Sequence, residues 1–247
     1  MRSVVIALAV ALCVVVTACG GNERRSNSER PLTSEQAATL ADSLYRNWQD
    51  QGATFVANAA WTNLGRSITM RGEVDWVGGT GHAVVQSTGS EMGLTEVWWS
   101  ATGVVEWWPS ISGLLTNLGH PGNSVVSRSL DPERRLVDRV IAVVRSLAAD
   151  QRENPLLIQQ KPGSAFIRED DLQGRAVQVL RYGERNLYWL ATDGGNMVRF
   201  DGNTATGVAP VVVDLVSKGP QTIVLPPAEL TIPSQSIGAL YQSLIGT

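Results

Sequence analysis

Residues 66–76 alternate without a break. Ile68, Met70, Gly72, Val74 and Trp76 fall on one side, and Ser67, Thr69, Arg71, Glu73 and Asp75 on the other. A period of two places successive side chains on opposite faces of a strand, so this segment belongs to a sheet with one apolar and one wet face. The apolar face of such a sheet must be covered. Gly78, Gly79, Thr80 and Gly81 supply a turn, and residues 82–87 return as the next strand. Residues 94–100 and 104–108 read as a further hairpin around Ala101, Thr102 and Gly103, which extends an antiparallel meander with tight turns.

The cover is legible as helices. Thr33 and Gln36 have capping-box spacing, and Ala37, Leu40, Ala41, Leu44, Tyr45 and Trp48 follow on one helical face. Asp131 before Pro132 predicts a helix start with Asp at the N-cap and Pro at N1. Leu136, Val137, Val140, Ile141, Val143, Val144 and Leu147 then give a broad apolar face through Ala149. Strands resume at 175–182, 186–192, 196–201, 208–216 and 221–225, while Glu169, Asp170 and Asp171 read as a solvated loop before them. Ser234 caps a last amphipathic helix bearing Ile237, Leu240, Tyr241 and Leu244. The order is helix, strands, helices, strands, helix, with no internal repeat.

The N-terminus carries different information. Arg2 precedes an apolar run from Val4 to Val16, and Thr17, Ala18, Cys19 and Gly20 follow. The run is too short to span a bilayer, which takes roughly 20 apolar residues. Small residues leading to one cysteine resemble a bacterial lipoprotein signal peptide with its lipobox. In that family diacylglycerol is attached to the cysteine thiol, and cleavage makes the cysteine the first mature residue. The resemblance implies a signal peptide at 1–18, a lipidated N-terminus and polar tether at 19–32, and one domain at 33–247, held outside the cytoplasm on the cell membrane. Cys13 would be discarded and Cys19 acylated, so the mature domain would have neither disulfide nor free thiol. The formal charge of −3 becomes −4 without Arg2, and no basic run stands out, which argues against nucleic-acid binding.

Further residues carry a second resemblance. The stretch from Arg71 to Trp76, the helix over 130–149, the run Arg152, Glu153, Asn154, Pro155, Leu156 and Leu157, and the run Leu187 to Gly194 with Arg199 take part. Together they resemble a set of actinobacterial lipoproteins, which in turn resemble the LolA/LppX/LprG-type half-barrel lipoproteins. The implied fold is α+β, a curved antiparallel sheet with helices packed over its concave face. The implied role is binding or carriage of lipids or lipid-linked molecules, without enzymatic chemistry.

An apolar cavity between sheet and helices would bind by removing area from water, roughly 25 cal/mol per Å². Ile68, Met70, Val74, Trp76, Trp107 and Trp189 are the candidates to line it. The doublets Trp98–Trp99 and Trp107–Trp108 each force one ring to the opposite face of a strand, toward a partner or a membrane. The alternative is a filled core and an interaction or assembly module that docks an envelope protein. No catalytic residue is assigned: Gly-x-Ser-x-Gly and Ser-x-x-Lys are absent, and the Gly78–Gly81 turn has no phosphate-loop lysine. Glu106 and Asp75 are the acids with aromatic neighbours, which leaves sugar binding open. His82 and His120 lack companions at ligand spacing, so no metal and no cofactor is expected, and the chain is read as a monomer.

Overall fold

The computed structural model describes residues 29–61, 65–88, 93–202 and 210–245. The first half runs α1 (Ser34–Gln49), β1 (Gly52–Trp61), β2 (Arg66–Asp75), β3 (Thr80–Thr88), β4 (Glu96–Trp99), β5 (Val104–Trp107), α2 (Ser112–Asn117) and β6 (Val125–Arg128). The second runs α3 (Leu136–Ser146), α4 (Pro155–Gln160), β7 (Ala165–Leu172), β8 (Arg175–Tyr182), β9 (Asn186–Ala191), β10 (Met197–Gly202) and β11 (Val211–Lys218). A short strand β12 (Thr231–Pro233) and α5 (Gly238–Ile245) follow.

The strands make one curved, unclosed sheet in the order β12-β6-β5-β4-β3-β2-β1-β11-β10-β9-β8-β7. Two sequential meanders, β1–β6 and β7–β11, are joined where β1 pairs antiparallel with β11. All the pairs are antiparallel except β12–β6, which is parallel. Bulges at Thr54/Phe55, Phe166/Arg168 and Met197/Arg199 bend the strands that carry them. This is the expected α+β half-barrel with helices over the concave face.

α1 begins as its sequence requires. Thr33 Oγ1 accepts from the Gln36 amide, and Gln36 Oε1 accepts in return from the Thr33 amide. α3 lies across β1, β2 and β11. Val137, Val140, Ile141, Val143 and Val144 are fully buried there, above Phe55, Ile68 and Met70. On β1 the inward positions are Ala53, Phe55, Ala57 and Ala59. Three alanines give the helix room to approach the strand. Asn47 ties α1 to the end of α3 by donating to the Leu147 carbonyl at 2.6 Å, and Lys218 donates to its Oδ1.

Three expectations are corrected. α3 starts at Leu136, after a turn over 131–135, because Arg135 is held extended (φ −124°, ψ 131°) while the Asp131 amide donates to the Asp138 carboxylate. Glu169, Asp170 and Asp171 lie inside β7, opposite β8, and not in a loop. Residues 221–225 form no strand; bounded by Pro220, Pro226 and Pro227, they cross the outside of the sheet. Conversely β1, β6, β7 and β12 were not foreseen, and residues 208–209 of the expected strand at 208–216 lie outside the described residues.

Gly81 faces inward opposite Trp99, and any Cβ there would overlap the Trp99 ring. Gly81→Ala must therefore push this buried ring aside. Overpacking of this kind costs about 1–3 kcal/mol. The expected result is a lower urea midpoint with an altered near-ultraviolet aromatic signal and an unchanged far-ultraviolet spectrum.

Candidate functional site

The candidate residues separate by face. Ile68, Met70 and Val74 alternate inward along β2, and Trp76 follows directly after it. They lie beneath α3, where the Trp76 indole N–H donates to the Val144 carbonyl at 3.0 Å. Trp99 and Trp108 join this interior and are almost wholly buried. Phe55 tilts against Trp99 with ring centroids 6.3 Å apart.

Trp98 and Trp107 point the other way, as the doublets require. In the β3–β4–β5 register, His82 pairs with Trp98 and Glu96 with Trp107. His82 is half-buried; it stacks on Trp98 at 4.9 Å and meets Glu96 Oε2 at 3.1 Å, with Glu73 beyond at 3.8 Å. Trp107, a cavity candidate, thus stands on the convex face and not with Ile68 and Met70. Trp189 does too. It is buried in a second, smaller apolar cluster with Val177 and Val179, flanked by Leu172, Leu187 and Val198.

The outward indoles build a trough. Trp98, Trp107 and Val125 line one side and Val224, Leu225, Pro226 and Pro227 the other of an open groove of about 290 Å³. A second groove of about 340 Å³ adjoins it, sharing Trp98 and Leu225 and reaching Arg128 and Gln235. The first groove is lined almost wholly by apolar side chains, with Asn123 at its edge. The segment 224–227 that lines it makes no strand pairing, and Val224 within it is 79% exposed.

Behind this groove, on the concave side, lies a buried polar cluster. Glu106 alternates inward with Val104 and Trp108 and has no exposed surface. Arg128 Nε donates to its Oε1 at 2.9 Å, Arg135 Nη1 approaches Oε1 at 2.7 Å, and Tyr241 Oη donates to Oε2 at 2.9 Å. The Trp108 indole adds a fourth contact at 3.2 Å. Arg128 also forks onto both oxygens of the fully buried Asp138 at the start of α3. Burial alone would raise the Glu106 pKa. The charges of Arg128 and Arg135, with the hydrogen bonds from Arg128 and Tyr241, outweigh that and hold the carboxyl below its usual value of 4.5. Glu106 is therefore an ionised structural acid. The opposite environment would be needed for a proton donor. Arg139 is a further buried cation, outside this cluster. Its Nε and Nη2 donate to the Pro132 carbonyl, and the Trp61 ring lies 5.6 Å away.

Asp75 accepts from the Gly78 amide and closes the β2–β3 turn. His120 sits in the loop after α2, far in sequence from His82. Among the described residues no group of three or more His, Cys, Asp and Glu is placed to hold a metal ion, and no helix is long and apolar enough to cross a membrane. Cys19 lies outside the described residues.

No protein-family model matches the chain, and no curated protein matches it in sequence. Solved structures with a similar course of the chain include LprF from Mycobacterium bovis, at 16% identity and a TM-score of 0.45 over 81% of this chain and 100% of that one. An uncharacterised conserved protein from Thermus thermophilus matches at 10% identity and 0.41 over 80% and 99%. The MucA/MucB complex of Pseudomonas aeruginosa matches at 14% and 0.33, with 79% of this chain covering 61% of that one. At TM-scores below 0.5 these likenesses say nothing of what this chain binds.

Neutralising Glu106 tests the polar cluster. Glu106→Gln leaves Arg128 and Arg135 buried beside an uncharged group, and removing one member of such a cluster costs about 3–5 kcal/mol. The native carboxyl has the lower pKa, so its contribution is complete above about pH 4.5 and is lost as pH falls through the native value. Urea midpoints measured from neutral pH downward should fall steeply in the natural protein below that point. They should be lower and flatter in Glu106→Gln.

Proposed function

We propose that the chain is a lipid-anchored protein of the cell envelope that binds an apolar ligand and performs no chemistry on it. The observation that supports this is the trough over Trp98 and Trp107. It has a nearly all-apolar lining, and the segment along one side makes no strand pairing. At about 290 Å³ this groove falls just below the usual ligand-site volumes of about 300–1,000 Å³. It suits one acyl or isoprenoid segment better than a whole lipid. The adjoining groove reaches Gln235, whose amide would serve a polar head. In this reading residues 224–227 act as the movable cover, and the ligand lies on the convex face. Ile68, Met70, Val74 and Trp76 serve the packing under α3.

The second reading is a docking module for another envelope protein. The tightly covered interior favours it, because the side chains of α3 occupy the concave face. The same outward tryptophans would then be the contact surface.

Native mass spectrometry after detergent-free purification separates the two. The apolar-ligand reading expects extra mass that organic solvent removes, and Trp98→Ala or Trp107→Ala should reduce uptake of a fluorescent fatty acid by about tenfold while the protein stays folded. A ligand-free mass, unchanged after incubation with envelope lipids, would leave the docking reading. Anchoring has its own test. The natural protein should incorporate a labelled fatty acid and Cys19→Ala should not; a natural protein that takes up no label would overturn the lipid anchor.

A further inference from the structure

α4 carries two adjacent leucines that the fold does not use. Leu156 and Leu157 are 62% and 61% exposed, while Ile158 beside them is fully buried against the core. Asn154 caps the helix by accepting from the Leu156 amide at 3.0 Å, and Pro155 fills N1, so the pair is held at a fixed outward angle. Exposed leucines are ordinary singly, but a fixed adjacent pair on a helix tip needs an occupant.

Its surroundings say which. The described chain enters beside α4: Arg30 pairs with Phe166 through both backbone hydrogen bonds, at 3.1 and 2.8 Å, and Gln159 Nε2 donates to the Leu32 carbonyl at 2.9 Å. Only nine residues lie between Cys19 and Glu29, a span of at most about 35 Å. Basic groups stand on the flanking segments. Arg30 and Lys161 are exposed over the Phe166 and Tyr182 rings, while Arg152, 61% exposed, is paired with Asp42 at 3.2 Å. Strand register gives the direction. Ala165 pairs with Arg181 and Tyr182 with Asn186, so α4, Arg30 and the β8–β9 turn share one end of the sheet. The β2–β3 and β4–β5 turns share the other, since Gly81 pairs with Trp99.

We propose that α4 is a membrane-docking tip, with Leu156 and Leu157 entering the boundary between lipid headgroups and acyl chains and Arg30 and Lys161 facing lipid phosphates. The proposal rests on the anchored reading of Cys19. A short tether supplies an effective concentration in the millimolar range, so two leucines suffice for docking that would be negligible for a free chain. The docked protein stands with its β2–β3 and β4–β5 turns away from the bilayer.

The test uses the full chain, acylated and reconstituted in vesicles of phosphatidylcholine and phosphatidylglycerol. Leu157→Cys carries an environment-sensitive dye, because acylated Cys19 leaves the introduced thiol as the reactive one. Val77→Cys, in the exposed β2–β3 turn, is the control. Spin labels within the bilayer should quench the dye at 157 and not at 77. Adding Leu156→Glu should cut the quenched fraction at least tenfold, because a carboxylate is strongly disfavoured at that depth. A chain that sediments with the vesicles but keeps its dye at 157 unquenched overturns the docking alone. A chain that remains in the supernatant overturns the anchoring, and the docking with it.

Discussion

A twelve-stranded sheet that does not close has one face to hide, and α3 is what hides it. Leu136 to Ile141 are all buried, Asp138 and Arg139 included, so the first turns of the helix are enclosed on every side. Its approach is set by Ala53, Ala57 and Ala59 on β1, which keep the strand surface low. Each buried valine, isoleucine or leucine of α3 contributes on the order of 1.5–3 kcal/mol relative to exposure. α1 and the bulged strands then close around this contact, with Asn47 fixing α1 to the last turn of α3.

Hydrophobic contact gives α3 affinity for the sheet but little orientation. Orientation comes from the Glu106, Arg128 and Asp138 cluster. Asp138 sits where the helix begins, and the planar fork of Arg128 meets both of its oxygens while also reaching Glu106 on β5. Tyr241 brings α5 into the same cluster. Four elements, β5, β6, α3 and α5, thus meet in one polar cluster. The desolvation this requires means that the cluster specifies an arrangement more than it adds net stability.

Much of this was legible in the chain. The α1 cap, the β2–β3 hairpin and the opposed doublet rings follow from spacing alone. β1 was hidden because alanine carries little strand preference, and its reason for being there, contact with α3, is tertiary. β7 was hidden by acids: Glu169 and Asp171 lie on a strand that borders solvent, where carboxylates are tolerated. The start of α3 was misplaced because the Asp131–Pro132 signal is genuine locally, but Arg135 and Asp138 are recruited to the buried cluster. That cluster did leave a trace. Glu106 shares the inward register with Val104 and Trp108, and an acid in an apolar register has to find cations. The outward trough left only half a trace, because its other side comes from residues more than a hundred positions away.

The join between β1 and β11 has a consequence for how the molecule is made. Ala53 must find Lys218, across more than 160 residues, before the middle of the sheet exists. Until then each meander has an open inner edge able to pair with the wrong chain. Long-range closure of this kind places folding in the slow, millisecond-to-second class. The first meander can pair within itself as it is made, but its inner edge stays open until β11, the last long strand of the sheet, arrives.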